Sequence, residues 1–405
     1  MAQGRATLTG ATSRGIVLDL IRSRGPISRV QLATATGFTQ ATISHVVRSL
    51  ASDGLVVESG EREYTGGKPR VMLTLAPRAR FAVGVQLGAD STTYVVTDLT
   101  GTVVGRLRTR GVRTGEPAES ILAIAARIDR LLAALDVDPS LVLGIGVATP
   151  GPLDVERGCI LRSPTMPAWV GFPLRERLAA ATGLSVSLDN DATAAGVGEF
   201  WGGDGASSVA HCTVFMGAGI GAGIIVGGSV YRGSSSNAGE IGQLRALRSE
   251  PGATIESVAA PAAVAAAARR AIAAGRATSM VLGEGDAFAD FDVVAASATR
   301  GDPLALELIA ESAEHIGDAV VTLADILDLD SVVLAGPSFS IAGPLYLRAV
   351  QRRVDAEFFA RELHGVRVQL SHHVVDAAAV GAATLVLQQQ LSPRRFGIGA
   401  FAAAP

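Results

Sequence analysis

Asn190 and Asp191 are the residues of this 405-residue chain best placed to do chemistry. They stand where the alternating run Leu184-Ser185-Val186-Ser187-Leu188 gives way to the small residues Ala192-Thr193-Ala194-Ala195-Gly196. That pattern predicts a strand delivering a carboxamide and a carboxylate to the start of a helix. The first N–H groups of a helix are unpaired, and its dipole favours negative charge there. A carboxylate so placed can stay ionised and accept a hydroxyl proton or a hydroxyl hydrogen bond. Asn and Asp also cap helices for structural reasons alone. The local pattern leaves both readings open.

The surrounding chain supplies elements to position such a pair. Segments 81–88 and 92–98 read as strands of a hairpin and 120–135 as a long amphipathic helix. Apolar strands at 141–147 and 209–216 each run into small residues, Ala148-Thr149-Pro150-Gly151-Pro152 and Gly217-Ala218-Gly219-Ile220-Gly221-Ala222-Gly223. Segment 331–334 leads likewise into Ala335-Gly336-Pro337-Ser338. Strands that end in glycine-rich loops are the mark of an α/β fold, in which ligands bind at the carboxyl ends of the strands.

Length and composition narrow the class. A chain of 405 residues exceeds one ordinary core, so two or three domains are expected. The two cysteines, Cys159 and Cys212, exclude a disulfide scaffold and a multi-cysteine metal site. The N-terminus lacks the pattern of a secretory signal and no apolar run reaches spanning length, so a cytoplasmic protein with no membrane partner is expected. Charge is unevenly spread. Residues 1–75 hold nine basic and five acidic side chains, a balance of +4 against a total of −3, which leaves −7 on the rest. A basic module on an acidic body points to an anionic polymer as the module's partner.

Within that module, Ile16, Val17, Leu20 and Ile21 have helical spacing, and Arg24-Gly25-Pro26 ends the helix. Ser28 can cap a second helix over 29–36, which Gly37 closes, and Thr39 a third over 40–53. Two short strands, 55–58 and 71–75, follow. Helix, glycine turn, helix and hairpin form a winged helix-turn-helix. Thr39, Gln40, Ala41, Thr42, Ser44, His45 and Arg48 would face double-stranded DNA from the third helix, and Lys68 and Arg70 from the wing.

The order of the later motifs resembles the ROK family (repressors, open reading frames and kinases), within the actin-like ATPase fold. The likeness spans roughly residues 80–390 and rests on residues 147–152, Asn190-Asp191-Ala192, residues 217–223 and Gly239-Glu240-Ile241-Gly242. It implies an α/β protein: a winged helix-turn-helix over 1–75, then a two-lobed actin-like ATPase (sugar kinase) fold. The first lobe would be 76–200 joined by 375–405. The second, 201–374, would carry the Gly-Glu-x-Gly motif and the oligomer contacts. It also implies a sugar site of Gly151, Asn190, Asp191, Glu240 and Glu256. In the family's kinases the residue matching Asp191 is the base that deprotonates a sugar hydroxyl.

The chain departs from the family at three places. The first phosphate loop, Asp-x-Gly-Gly-Thr in the family, is Gln86-Leu87-Gly88-Ala89-Asp90 here, which sets a carboxylate against phosphate. Gly-Gly on the adenosine side becomes Ala335-Gly336. The histidine after Gly-Glu-x-Gly is Gln243, which could still hold a sugar hydroxyl, and the zinc loop is 248–254, without cysteine or histidine. No catalytic residue, metal or cofactor is therefore expected. Trp169 is read as packing between lobes and His372-His373 as a solvated strand end.

Together these readings predict a sugar-responsive repressor of carbohydrate genes. It would act as a homo-oligomer on a DNA operator, with a sugar or sugar derivative as effector. The alternative is an active ATP-dependent sugar kinase, or a bifunctional one.

Overall fold

The computed structural model describes residues 10–63, 70–202, 208–283 and 285–391. Near the N-terminus, helices Gly10–Arg24 (α1), Arg29–Thr36 (α2) and Gln40–Ser52 (α3) close around Val17, Ile21, Leu32, Ile43, Val47 and Leu50. Ser28 opens α2 with a capping box: its hydroxyl accepts from the Gln31 N–H, and Gln31 Oε1 accepts from the Ser28 N–H. Gly37 ends α2 at φ 71°, where glycine alone is unstrained. Thr39 caps α3 by accepting from the Thr42 N–H at 3.1 Å. Three strands follow the order β1-β3-β2: Ile27–Ser28 (β1), Arg70–Leu75 (β3) and Val56–Glu63 (β2). Strand β1 is absent from the sequence reading because two residues are too few for alternation to show.

The body continues with Phe81–Leu87 (β4), Ser91–Asp98 (β5), Val103–Arg110 (β6), Pro117–Ala134 (α4) and Val142–Thr149 (β7). A small ladder of Leu153–Asp154 (β8) and Cys159–Ile160 (β9) precedes Leu174–Thr182 (α5), Val186–Asn190 (β10) and Asp191–Gly202 (α6). Then come Ala210–Met216 (β11), Ile220–Val226 (β12), Ser229–Val230 (β13), Ile255–Ala259 (α7), Pro261–Ala273 (α8), Ala287–Thr299 (α9) and Pro303–Leu327 (α10). Ser331–Ala335 (β14), Gly343–Glu357 (α11), Arg367–Leu370 (β15) and Ala377–Leu391 (α12) complete the described residues.

Two five-stranded sheets share one plan. Their orders, β6-β5-β4-β7-β10 and β13-β12-β11-β14-β15, both read 3-2-1-4-5 when each sheet's strands are numbered in chain order. In each, the first three strands form an antiparallel meander and the last two pair in parallel. The sheets belong to separate cores, one built on Phe81, Tyr94 and Ile145, the other on Val214, Phe291 and Tyr346. Among the described residues no helix is long and apolar enough to cross a membrane.

Helices α6 and α12 lie where the two sheets meet, in a cluster of Ala148, Ala194, Ala195, Phe215, Ala335, Ala378 and Ala382. Their crossing is so tight that a Cβ on Gly381 would overlap the carbonyl oxygen of Ala194. On the other face of α6, a Cβ on Gly223 of β12 would overlap the Ala192 carbonyl. Smooth, small-residue faces let α6 be gripped by α12 and the second sheet together. We predict that Gly381→Val destabilises the protein by about 3 kcal/mol or more, since no rotamer avoids the neighbouring backbone. An unchanged thermal midpoint would contradict this packing.

Candidate functional site

Strand β10 ends at Asn190 and α6 begins at the next residue, so the polar pair is the junction itself. Asn190 Oδ1 accepts from the Thr193 N–H at 3.1 Å and so caps the helix. Its Nδ2 faces the other way, 3.3 Å from where a Cβ on Gly151 would stand. Capping and lining a pocket, alternatives in the sequence, are here two ends of one amide. Asp191 turns one carboxylate oxygen to the Ala192 N–H at 2.9 Å.

Around this junction the two lobes close on a cavity of about 80 Å³, bounded by Gly151, Asn190, Asp191, Gly219, Glu240 and Glu256. Gly151 meets Asn190, Glu240 and Asn237, so any side chain there would fill the cleft. Glu256, from α7, accepts the Ile220 N–H at 3.1 Å, and Gly219 leaves the space its carboxylate occupies. Burial is the main cause lifting the Asp191 carboxyl from its ordinary 3.8 to about 7; the Ala192 N–H opposes this, and Glu240 and Glu256 add to it. Glu240 is raised as well, by burial first and Glu256 second, with Arg162 opposing. Such crowded acids suit a ligand rich in hydroxyl donors.

Gln243 does not join them. It ends the 3-10 turn Ile241–Gln243, which turns Ile241 and Gly242 inward and leaves the Gln243 side chain exposed. Trp169 packs inside the first lobe's core, edge-on to Phe172 at 5.5 Å, rather than between the lobes. His372 and His373 stand on the turn after β15, past the strand's end, and His373 is half-buried.

Two cross-lobe contacts were not apparent from the sequence. Arg232, just past β13, donates to both oxygens of Asp189 on β10, at 3.0 and 2.7 Å, and both side chains are nearly out of solvent. Asn237 pairs with the backbone of Leu153 like a strand neighbour, accepting its N–H at 2.8 Å and donating to its carbonyl at 3.0 Å. The available signal was Asp189 itself, an acid beside a buried junction that needed a partner.

The phosphate-loop turn is also held. The carbonyls of Gly88, Ala89 and Asp90 accept from the N–H groups of Val112, Arg113 and Gly111, and Arg113 clasps the Asp90 carboxylate at 2.6 Å. In the loop 248–254, Arg248 reaches Glu314 and Asp318 on α10, at 3.2 Å each.

The cap Thr39 and, on α3, Gln40, Ala41, His45 and Arg48 are exposed, and Thr42 and Ser44 half-buried, opposite the core residues Ile43, Val46, Val47 and Leu50. Arg70 opens β3 half-buried, while Lys68 lies outside the described residues.

Two lobes of identical strand order, meeting at an acid-lined cleft with a glycine loop on each side, define the two-lobed architecture of sugar kinases and their relatives. The chain belongs to the ROK family, whose sequence model matches residues 82–389. It is 27% identical to the putative xylose repressor of Caldicellulosiruptor sp. (strain Rt8B.4), over 96% of this chain and 98% of that one. The crystal structure of a ROK family transcriptional regulator, a homologue of the E. coli MLC protein, shares the fold. Its TM-score is 0.76 at 22% identity, covering 94% of this chain and 96% of that one. A ROK family glucokinase from Streptomyces griseus, in complex with glucose and AMPPNP, matches 75% of this chain and 98% of its own, with 26% identity and a TM-score of 0.65.

The Arg232–Asp189 pair gives a direct test of how the cleft wall is held. Arg232→Met strands a buried carboxylate and is expected to cost about 3–5 kcal/mol in denaturant unfolding. Asp189→Asn on the same background should restore much of that loss. If the single variant unfolds like wild type, the pair holds nothing.

Proposed function

We propose that this chain is a sugar-responsive transcriptional repressor that binds a monosaccharide or sugar derivative between its lobes. The observation that carries the reading is the cleft: Asp191, Glu240 and Glu256 supply acceptors, and Asn190 supplies one donor from its Nδ2. Carboxylates accepting from hydroxyls form short, charge-assisted bonds, which fits a polyol better than an apolar ligand. The name of the xylose-repressor relative, similar along nearly its whole length, supports the same assignment. At about 80 Å³ the cavity is below the roughly 300 Å³ usual for ligand sites, so sugar entry requires the lobes to part.

The basic module is assigned to DNA, with α3 in the major groove and Arg48 on phosphate. Two half-sites require at least a dimer. The module contacts the body where Arg22 of α1 reaches the carboxyl end of α6. Kinase chemistry is assigned as lost: Gln86 replaces the metal-side acid and Asp90, held by Arg113, sets negative charge where phosphate would sit. No zinc or other cofactor is assigned, and Arg248 with its α10 acids takes over anchoring the loop 248–254.

One observation favours the kinase reading. A carboxyl near 7 is poised as a general base at neutral pH, and the glucokinase likeness points the same way. ATP turnover with D-xylose, D-glucose and N-acetyl-D-glucosamine decides between the two, since robust phosphorylation defeats the repressor-only assignment.

Arg48 stands on the DNA-facing side of α3 and outside the sugar cleft, so its loss should affect operator binding and leave sugar binding alone. Arg48→Ala is expected to weaken a gel-shifted complex about tenfold while the sugar-induced thermal shift stays intact. Equal affinity would remove Arg48 from the interface.

The sugar site should respond to pH through Asp191. A hydroxyl donates more strongly to the ionised carboxylate than to the neutral acid, so sugar affinity should rise, by up to about tenfold per unit, as pH climbs towards 7 and level off above it. In the free protein the sign reverses: stability falls as pH rises from 3.8 towards 7, because the unfolded chain gives up this proton first. Calorimetry from pH 5.5 to 8.5 reads the first effect, and Asp191→Asn should flatten it.

A further inference from the structure

The same helix that begins in the sugar cleft ends against the winged helix. Asp191 is the first residue of α6 and Trp201 its penultimate one, about 15 Å further along the axis. The Trp201 carbonyl accepts from Arg22 Nη1 at 2.8 Å, and the Arg22 guanidinium lies 3.8 Å above the centre of the indole. Asp19, one turn back on α1, fixes the guanidinium by accepting from Nε at 3.2 Å and from Nη2 at 3.0 Å. A cation over an aromatic face, at the negative end of a helix dipole, is favoured twice.

The space beside Trp201 is unusual for a buried aromatic residue. A cavity of about 300 Å³ opens there, lined by Trp201, Glu199, Gly101, Arg106, His372 and His373. The indole N–H is buried without a hydrogen-bond partner, next to Gly101. The Glu199 carboxylate, held by Ser371 at 2.5 Å, offers an acceptor inside the same cavity. Trp201 therefore has an occupied position over Arg22, vacant room behind it, and an unmet bond that the vacant side could satisfy. The turn that bounds this cavity also carries Leu99, which packs into the winged-helix core. At Gly196 and Gly198 the backbone of α6 lies directly against Gly223 and Gly381, so a displacement at its first turn is carried along the helix as a unit.

We propose that α6 is the lever of regulation, with Arg22 and Trp201 as the positioning residues that carry the state of the sugar cleft to the DNA-binding module. This rests on the assignment of the cleft as the sugar site. When the cleft rearranges at Asp191, α6 shifts and the indole leaves the guanidinium for the cavity. The winged helix then loses its fixed seat on the body. Two discrete positions of one side chain suffice to couple the two ends.

A double-mutant cycle tests this in the full-length chain, using a DNA duplex that the wild-type protein selects from random sequence. Asp191→Asn is expected to change duplex affinity about tenfold, within the usual range of coupling between sites. On an Arg22→Gln background the same substitution should change it less than twofold. Arg22→Lys, which keeps the cation, should restore part of the effect, as should Trp201→Phe compared with Trp201→Ala. A full tenfold change surviving in Arg22→Gln overturns the proposal, and so does an Asp191→Asn substitution that leaves duplex affinity unaltered. Because the cycle uses no sugar, it is independent of a second measurement: calorimetry of D-xylose, D-glucose and N-acetyl-D-glucosamine. Failure of all three sugars to bind would count against the sugar site alone.

Discussion

Everything in the body depends on how closely α6 can approach its neighbours. The helix starts with the cleft's aspartate, is capped by its asparagine, touches the second sheet along one face and crosses α12 along another. Those approaches are short enough to exclude a single methyl group at Gly223 and Gly381. Close packing of backbone on backbone leaves few ways to reposition Asp191 except by moving the helix as a unit. The abundance of alanine and glycine, unremarkable as composition, is what lets two sheets of identical strand order share one pair of helices. It also keeps the glycine loops of the two lobes opposite each other.

Electrostatics adds a second constraint. Three acids face one small cavity, and the protein meets the cost of crowding them by shifting protons rather than by supplying cations. Arg232 is committed to Asp189 in the wall behind, and Arg162 only partly offsets the rise at Glu240. The cleft therefore keeps its acceptors free. A hydroxylated ligand relieves the crowding when it binds, which is a differential interaction of the kind any ligand-driven change requires.

Much of this was legible in the sequence wherever a pattern is local. Alternation up to Leu188 followed by small residues located the strand–helix junction, and Ser28, Gly37 and Thr39 marked the helix ends in the N-terminal module. Local patterns fail where a partner lies far along the chain. Nothing near Asp189 names Arg232, 43 positions on, and nothing near Asn237 names Leu153. Gln243 misleads for a related reason, since its place in a motif says which residues surround it but not which way a short 3-10 turn faces. The histidine pair misleads similarly: the sequence reads it as a strand end, but β15 stops at Leu370 and the pair stands on the turn beyond, lining a cavity with Glu199 and Trp201 of α6. Residues read as solvated thus line a cavity.

The amide of Asn190 has one consequence that reaches beyond the fold. With its oxygen committed to the Thr193 N–H, the group cannot flip, so its hydrogens have a fixed heading. On one side the cleft gives hydrogen-bonding protons, and on the other it only receives them. A guest therefore reads the cleft as an arrow rather than a ring of equivalent contacts, and it must present a lone pair at one end and hydroxyl protons at the other. For the sugar ligand proposed above, discrimination among epimers would then be a matter of matching that arrow. The atom that starts a helix thereby fixes the direction in which the cleft offers its protons.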